Sequence, residues 1–184
     1  FGNGSIGGVV CFDDTLTLYL NKTDLWYDVA YMKYDEDGKR IPYGDRGGRT
    51  YAGKLKIAFP GKPDNPDIEQ RLNLLKGKVD VRYGAERDPV LSGSIIPMAN
   101  RNVILVDLKH RTAIRPKAVL THFHWDDKEE KPDLALERKL GHQRYRVQCR
   151  TLRSDAGRTQ YLIAIVTRTE NGDNLEKAAR ALLS

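Results

Sequence analysis

Apolar and polar residues alternate along much of this chain, with the two-residue period of a strand that buries one face. Residues 54–59 and 78–83 show this alternation clearly. Residues 103–108 are instead almost continuously apolar, which is typical of a strand covered on both faces. Turn residues recur about every ten residues, a spacing that favours an all-β sandwich or barrel. The predicted strands are 6–12, 15–20, 54–59, 70–74, 78–83, 90–96, 103–108, 119–125, 144–152 and 160–168.

The end of the chain follows a helical pattern. Residues 175–183 are rich in alanine, leucine, glutamate and lysine, and Asp173 or Asn174 can cap the first turn. Apolar residues fall on one stripe of this helix. We therefore expect one β-sandwich domain over residues 1–170, followed over 171–184 by the start of a helical linker into a further, catalytic domain.

Composition and charge argue against two classes of protein, a membrane protein with spanning helices and a basic nucleic-acid binder. No apolar run approaches the roughly 20 residues that a membrane-spanning helix needs, so no membrane partner is expected. The formal net charge of +6 would suit an anionic partner. However, acidic residues lie among the basic ones, whereas a nucleic-acid-binding domain usually clusters its charge on one face. We expect no nucleic-acid partner.

The two cysteines, Cys11 and Cys149, lie far apart among strand-type residues. One disulfide in a secreted protein and two buried free thiols both fit the sequence, and the second interpretation is the simpler one. Neither cysteine belongs to a Cys-x-x-Cys pair, so neither a zinc site nor a redox motif is indicated.

The sequence His122-Phe123-His124, followed by Asp126, has the spacing of metal ligands. Residues two apart in a strand share a face, so both imidazoles could reach one ion. A third ligand would still be needed, and Asp126 shares that face only if the strand continues through Trp125. Because such pairs are often incidental at strand edges, we expect no metal and no cofactor.

Paired carboxylates, which glycoside hydrolysis requires, occur only in polar turn or loop sequence. These pairs lie at 13–14, 35–37, 126–127 and 129–130. Nothing indicates the burial that would raise the pKa of one of them, as a general acid needs. The nucleophile elbow Gly-x-Ser-x-Gly is also absent from the sequence. We expect no catalytic residue in this chain.

The glycines at the start of the chain indicate backbone turning. Residues 2–8 read Gly-Asn-Gly-Ser-Ile-Gly-Gly, which superficially suggests a phosphate-binding loop. The segment lacks the lysine and the strand-to-helix context of such a loop. Tight turning and close packing of the backbone explain the glycines better.

A polar segment after the second predicted strand contains a candidate sugar site. Its residues Asn21, Asp24 and Trp26 could act together, because an indole face can stack on a sugar ring while an amide and a carboxylate bind its hydroxyls. Alternatively, Trp26 packs against this domain or a neighbouring one. Trp125 has the same two interpretations. We interpret 24–49 as one long polar loop, and loops of this length are often functional.

The order of these features resembles the N-terminal β-domain of family 95 glycoside hydrolases, the α-L-fucosidase-like enzymes. That domain opens with Gly-Asn-Gly, two short strands and Asn-x-x-x-Leu-Trp, similar to residues 2–26 here. Segments 49–55, 71–79, 103–108 and 160–167 resemble later strands of the family in the same order. The Ser/Gly-rich turn that follows Leu-Trp in the family is replaced here, and 110–133 has no counterpart. The pattern is that of a divergent member.

The resemblance implies a β-supersandwich of two packed antiparallel sheets, with the chemistry in a later helical domain. The chain alone would then be no enzyme, although its parent would be a secreted or periplasmic glycoside hydrolase. The chain begins at Phe1 in mid-motif, as an excised or processed segment would. Its expected role is to pack on an (α/α)-barrel and lend the loop 21–26 to the rim of the sugar site. The alternative is an independent carbohydrate-binding module.

Overall fold

The chain forms eleven strands and two short helices within the residues that the structure, a computed structural model, describes. Those residues are 1–12, 15–34, 36–37, 40–60, 67–121, 134–140 and 143–184, with the backbone alone described for 26–34, 40–50 and 140. The strands are β1 (Ile6–Phe12), β2 (Leu16–Tyr34), β3 (Arg40–Ala58), β4 (Ile68–Asn73), β5 (Lys78–Tyr83), β6 (Leu91–Pro97), β7 (Val103–His110), β8 (Lys117–Thr121), β9 (Ala135–Leu140), β10 (Gln143–Asp155) and β11 (Arg158–Thr167); the helices are α1 (Arg168–Asn171) and α2 (Leu175–Leu183).

The strands form two antiparallel sheets. The smaller sheet has the order β1-β2-β3-β8, and the larger has the order β4-β5-β6-β7-β11-β10-β9. One hydrophobic core contains side chains of both sheets, including Leu18 and Leu55 of the smaller sheet and Val106 and Val147 of the larger. The predicted all-β, two-sheet sandwich with a C-terminal helix is confirmed. The additional helix α1 is a single turn at the end of β11.

The predicted burial pattern of β5 is also confirmed, whereas burial of both faces is found only at the start of β7. Along β5, Val79, Val81 and Tyr83 are buried and the residues between them are half-exposed. Along β7, Val103 packs against the α2 side, whereas Ile104 packs into the core between the sheets. Helix α2 therefore forms a third layer on the outer face of the larger sheet and covers the start of β7, whereas Asp107 and Lys109 further along that face are half-exposed and exposed.

The polar segment 24–49 is not a loop as predicted. Strands β2 and β3 continue through most of it as one long hairpin, paired from Leu16↔Ile57 to Tyr34↔Arg40 with several register shifts. Backbone pairing satisfies the N–H and C=O groups of a strand whether or not a face is buried, so this hairpin needs no apolar alternation. Its sequence consequently lacks the signal on which the strand prediction relied.

The prediction missed one strand and placed another later in the chain than the structure does. Strand β9 (Ala135–Leu140) was not predicted, because its leucine, glutamate, arginine and lysine residues are good helix formers. Its pairing with β10 overrides that local preference. The predicted strand 119–125 corresponds to β8 over Lys117–Thr121, and its residues 122–125 lie outside the described part of the chain.

The glycine-rich opening turns the backbone, as predicted. Gly4 has φ of +92°, a conformation that side-chain-bearing residues rarely adopt. A Cβ added to Gly8 would lie 2.1 Å from the carbonyl oxygen of Tyr19, so only glycine allows β1 to approach β2 this closely. The interpretation of these glycines as serving tight turning and close packing of the backbone is confirmed.

Cys11 and Cys149 are both free, but only Cys149 is buried. The prediction of two buried thiols is therefore wrong for Cys11. This residue lies at an outward-facing position of the edge strand β1, where apolar alternation no longer implies burial. No described helix has both the length and the apolar character needed to cross a membrane.

Candidate functional site

Asn21 and Asp24 lie on strand β2. Asp24 Oδ2 accepts a hydrogen bond from Thr167 Oγ1 at the end of β11, and Asp24 Oδ1 lies 2.9 Å from Lys22 Nζ. The backbone of Trp26 pairs with Arg49 of β3, but the structure does not describe the Trp26 side chain. The structure therefore places Asp24 beside Lys22, while the sugar-stacking role of Trp26 stays a prediction.

The candidate metal ligands cannot be placed. His122, His124 and Asp126 lie outside the described residues, as does Trp125. Among the residues that the structure does describe, no group of three or more His, Cys, Asp or Glu side chains could hold a metal ion.

Lys22 is the centre of an unexpected buried polar cluster. Its side chain has no exposed surface, although it is charged. Nζ lies 2.9 Å from Asp24 Oδ1 and 2.7 Å from Glu170 Oε1. Both contacts are ion pairs, because their geometry does not meet the angles of a hydrogen bond. A buried ammonium is tolerated only with compensating charge, and these two carboxylates supply it.

Further polar side chains hold the two carboxylates. Asn102 Nδ2 donates to Glu170 Oε2 over 2.7 Å, and Ser5 Oγ donates to Asn102 Oδ1 over 2.7 Å. These contacts join the N-terminal turn, β2, the β6–β7 turn, the end of β11 and helix α1. We call this group the Lys22 cluster; it comprises Ser5, Lys22, Asp24, Asn102, Thr167 and Glu170.

The side chain of Asn3 fixes the turn that leads into the cluster. Asn3 Oδ1 accepts hydrogen bonds from the backbone N–H groups of Ser5 and Ile6, at 3.0 and 2.9 Å. Its Nδ2 donates to the carbonyl oxygens of Met98 and Arg101, at 2.6 and 3.1 Å. The asparagine of Gly-Asn-Gly thus clamps the N-terminus to the β6–β7 turn.

A shallow cleft of about 240 Å³ lies beside the cluster. Phe1 and residues of the glycine-rich turn line one side of it, and Asn21, Lys22 and Thr23 line the other. Asn21 Oδ1 is buried here without a hydrogen-bond partner among the described atoms. A buried amide oxygen left unpaired is costly, so this position would accept a donor such as a hydroxyl.

The contacts of the Lys22 cluster are suited to holding the structure together. Asp24 and Glu170 each face both an ammonium and a hydrogen-bond donor, which fixes their orientation. A retaining or inverting glycosidase needs two carboxyls facing a scissile bond, with room for sugar or water between them. Here a lysine occupies the space between the carboxylates, so the arrangement is not that of a hydrolytic pair.

A second polar surface lies on β4 and β5. Glu69 Oε1 and Oε2 accept hydrogen bonds from Arg71 and Arg82, at 2.9 and 3.1 Å. The hydrogen bond from Arg82, assisted by the charge of Arg71, lowers the pKa of the Glu69 carboxyl. These residues line a groove of about 300 Å³. The groove carries both signs of charge and therefore has no evident preference for an anionic or a cationic ligand.

The Cys149 thiol borders a third cleft, with Arg180 and Leu183 of α2 on its other side. Burial raises the pKa of Cys149 to about 12, so the thiol stays protonated at neutral pH. Because the thiolate is the nucleophile, Cys149 is not a candidate for covalent catalysis.

No protein-family model matches the chain, and no curated protein is significantly similar to it in sequence. The likeness to family 95 glycoside hydrolases therefore rests on the motifs described above.

One member of the cluster had a signal in the sequence that the strand prediction did not use. Leu16, Leu18, Leu20 and Lys22 follow each other with the period of a strand, and the three leucines are fully buried. A lysine in register with them must itself point inward. The partners Asn102 and Glu170, distant in sequence, carry no comparable signal.

Proposed function

We propose that this chain is a non-catalytic β-sandwich domain of a carbohydrate-active enzyme related to family 95 glycoside hydrolases. The domain packs against a helical catalytic domain of the same polypeptide. The order of the Gly-Asn-Gly, Leu-Trp and later strand motifs supports this assignment. The two-sheet antiparallel sandwich is the architecture that the resemblance implies.

The Lys22 cluster is the observation that carries the proposal. It connects β2 at Asp24, within the segment that the family resemblance assigns to the rim of a sugar site, to Thr167 and Glu170. Thr167 is the last residue of β11, and Glu170 lies in helix α1, which follows it directly. The sugar-facing segment and the first helical turn are thus held together, as a rim beside a helical domain requires.

The proposed contact with sugar is made by Asn21 and Trp26. The unpaired Oδ1 of Asn21 would accept a sugar hydroxyl, and the indole of Trp26 would stack on the ring. Asp24 is a positioning residue in this proposal, because the ammonium and Thr167 already occupy its oxygens.

Hydrolysis assays test the assignment. We expect the isolated chain to hydrolyse none of a panel of aryl glycosides, because the resemblance implies that the chemistry lies in the helical domain. In the protein that includes the helical domain, Asn21→Ala should lower kcat/KM by about tenfold, the value of one hydrogen bond to a substrate hydroxyl. Lys117→Ala, at an exposed position of β8, is the control.

Turnover by the isolated chain that is abolished by a carboxylate substitution within it would overturn the proposal. An unchanged kcat/KM in Asn21→Ala would remove the rim role and leave only the packing role.

An independent carbohydrate-binding module is the second candidate. The cleft beside Asn21 is formed by this chain alone, which is the observation that favours it. This function predicts measurable binding of a glycan by the isolated chain, lost in Trp26→Ala or Trp125→Ala. Calorimetry that detects no heat with any glycan of a broad panel would exclude it.

A further inference from the structure

Strand β4 offers an open sheet edge. It is the outermost strand of the larger sheet and pairs only with β5 in the described chain. The N–H of Gly84 donates to the carbonyl oxygen of Asp67 over 2.8 Å. In an antiparallel pair every second residue directs its backbone groups at the partner, so Asp67, Glu69 and Arg71 direct theirs at β5. The backbone N–H and C=O groups of Ile68, Gln70 and Leu72 consequently point away from β5, towards the edge.

Apolar side chains are exposed along the same edge. Ile68 and Leu72 are 41% and 55% exposed, although they lie opposite the buried Tyr83 and Val79 on the core-facing side of the sheet. An edge strand with free backbone groups and exposed apolar side chains is a template for pairing with another strand.

The charges of β4 are self-complementary. Glu69 and Arg71 lie on the opposite face from Ile68 and Leu72 and flank Gln70 symmetrically. An antiparallel copy of β4 can use the outward backbone groups in three neighbouring registers. One places Glu69 opposite its own copy and one places Arg71 opposite its own copy, which like-charge repulsion disfavours. Only the register centred on Gln70 places each Glu69 opposite an Arg71.

We propose that β4 pairs antiparallel with β4 of a second copy of this chain, with Gln70 opposite Gln70. In this register Ile68 of one copy faces Leu72 of the other at both ends, and the two larger sheets become continuous. Each Glu69 then lies opposite an Arg71 at a position where the two backbones exchange no hydrogen bond, which is where opposing side chains are closest. This interface lies apart from the Lys22 cluster and does not depend on the proposed function.

A second copy fits this edge better than an unrelated strand does. Residues 68–72 are apolar, acidic, neutral, basic and apolar in that order, so an antiparallel copy of the same strand places acidic residues opposite basic ones and apolar residues opposite apolar ones. This complementarity serves only the pairing of β4 with itself. One strand pair makes a small interface, so we expect a weak dimer in the micromolar range. Two-fold symmetry closes the contact at two copies.

Charge reversal tests the register. We expect sedimentation velocity between about 1 and about 200 µM to show a concentration-dependent dimer, a range that spans the affinities of small interfaces. Glu69→Arg and Arg71→Glu should each weaken it by about tenfold or more, since each places like charges opposite one another. An equimolar mixture of the two variants should restore the dimer, because Glu then meets Arg at both positions.

The mixture also controls for folding, since a misfolded variant could not restore the complex. A monomer at every concentration of the unmodified chain would overturn the proposal. Equal dimerisation of both single variants and the unmodified chain would overturn it as well.

Proline tests the backbone contact independently of charge. The N–H of Gln70 points away from β5, so Gln70→Pro should leave the β4–β5 pair intact while blocking the edge. We expect it to abolish the dimer without changing the circular dichroism spectrum. Gln70→Ala, which retains the N–H, is the matched control and should dimerise. Dimerisation of Gln70→Pro to the same extent would show that another surface is used and would reject the proposal.

A cross-link tests the position of the symmetry axis. Opposed residues of a hydrogen-bonded antiparallel pair have Cα atoms about 5.5 Å apart, within the span of a disulfide. With Cys11 replaced by serine, Gln70→Cys should oxidise to a covalent dimer well before Glu69→Cys does. The reverse order would place the axis elsewhere and contradict the proposed register.

Discussion

At the scale of single residues, the buried charge of Lys22 connects strand β2 of the smaller sheet to helix α1. Lys22 is fully buried, and its ammonium lies between Asp24 and Glu170. A lone buried ion costs several kcal/mol, so each partner depends on the others. The cluster thereby links a strand of the smaller sheet to the helix that follows the larger one.

Lys22→Met should lower the free energy of unfolding by about 2 kcal/mol, because two partly exposed carboxylates are left facing each other without the ammonium. Chemical denaturation followed by circular dichroism measures this. Lys117→Met, at an exposed site of β8, should change stability by less than about 0.5 kcal/mol. If both substitutions had the same small effect, the Lys22 cluster would have no structural role.

The two cysteines should differ strongly in reactivity. Cys11 is exposed, whereas burial raises the pKa of Cys149 to about 12. Because only the thiolate attacks a disulfide reagent, Ellman's reagent should modify one thiol quickly in the native chain and two after denaturation. Cys11→Ser should remove the fast reaction. Rapid native labelling of Cys149 in that variant would contradict its burial.

At the scale of elements, helix α2 depends on one capping contact and one apolar face. Asn174 Oδ1 accepts a hydrogen bond from the N–H of Lys177 over 3.0 Å. Leu175, Ala179 and Leu183 are buried against β7 and β11. The cap satisfies a backbone donor that the first turn would otherwise leave unpaired, and the face anchors the helix to the sheet.

Asn174→Ala should destabilise the chain by about 1 kcal/mol, the usual value of an N-cap. Asn174→Ser, which can still accept the bond, should retain most of the stability. Lys177→Ala serves as the control, since it preserves the N–H and lies at an exposed position. Thermal denaturation of the three variants makes the comparison. Equal stability of Asn174→Ala and the unmodified chain would show that the cap is not needed.

At the scale of the whole molecule, the two sheets share one core, and an acid-sensitive contact joins two central strands of the larger sheet. Asp107 of β7 accepts two hydrogen bonds from Arg158 of β11, at 2.9 and 2.7 Å. These bonds lower the pKa of the Asp107 carboxyl below its ordinary value of 3.8, although partial burial opposes them. Since both sheets bury side chains in the same core, loosening β7 from β11 weakens the entire sandwich.

The stability of the chain should therefore fall in acid. A lowered native pKa means that the stabilisation is present above the unfolded pKa and is lost as the pH falls through the native pKa. Asp107→Asn should be less stable than the unmodified chain at pH 7, and the difference should shrink between about pH 5 and about pH 2. Urea denaturation at each pH measures it, with Glu86→Gln as an exposed control. A difference that does not vary with pH would reject this role of Asp107.

The alternation of apolar and polar residues predicted the strands that bury one face. It failed for strands that form only through backbone pairing with their neighbours. The alternation of β5 followed directly from burial, as did the apolar start of β7, whereas the outer face of β7 is at most half-buried from Leu105 onwards. The outer part of the β2–β3 hairpin and strand β9 were missed, because their pairing is set by neighbouring strands. The likeness to family 95 glycoside hydrolases and the sugar-facing role of Trp26 remain predictions for the experiments above.

The sequence by itself determined the class of fold, the C-terminal helix and the turning of the glycine-rich start, since each depends on residues close together in the chain. The order of Leu16, Leu18, Leu20 and Lys22 also determined that a lysine would point inward. Only the tertiary structure decided what meets that lysine. Glu170 approaches it from the far end of the chain, and a contact over such a separation depends on how the sheets and helix pack, which no local pattern encodes.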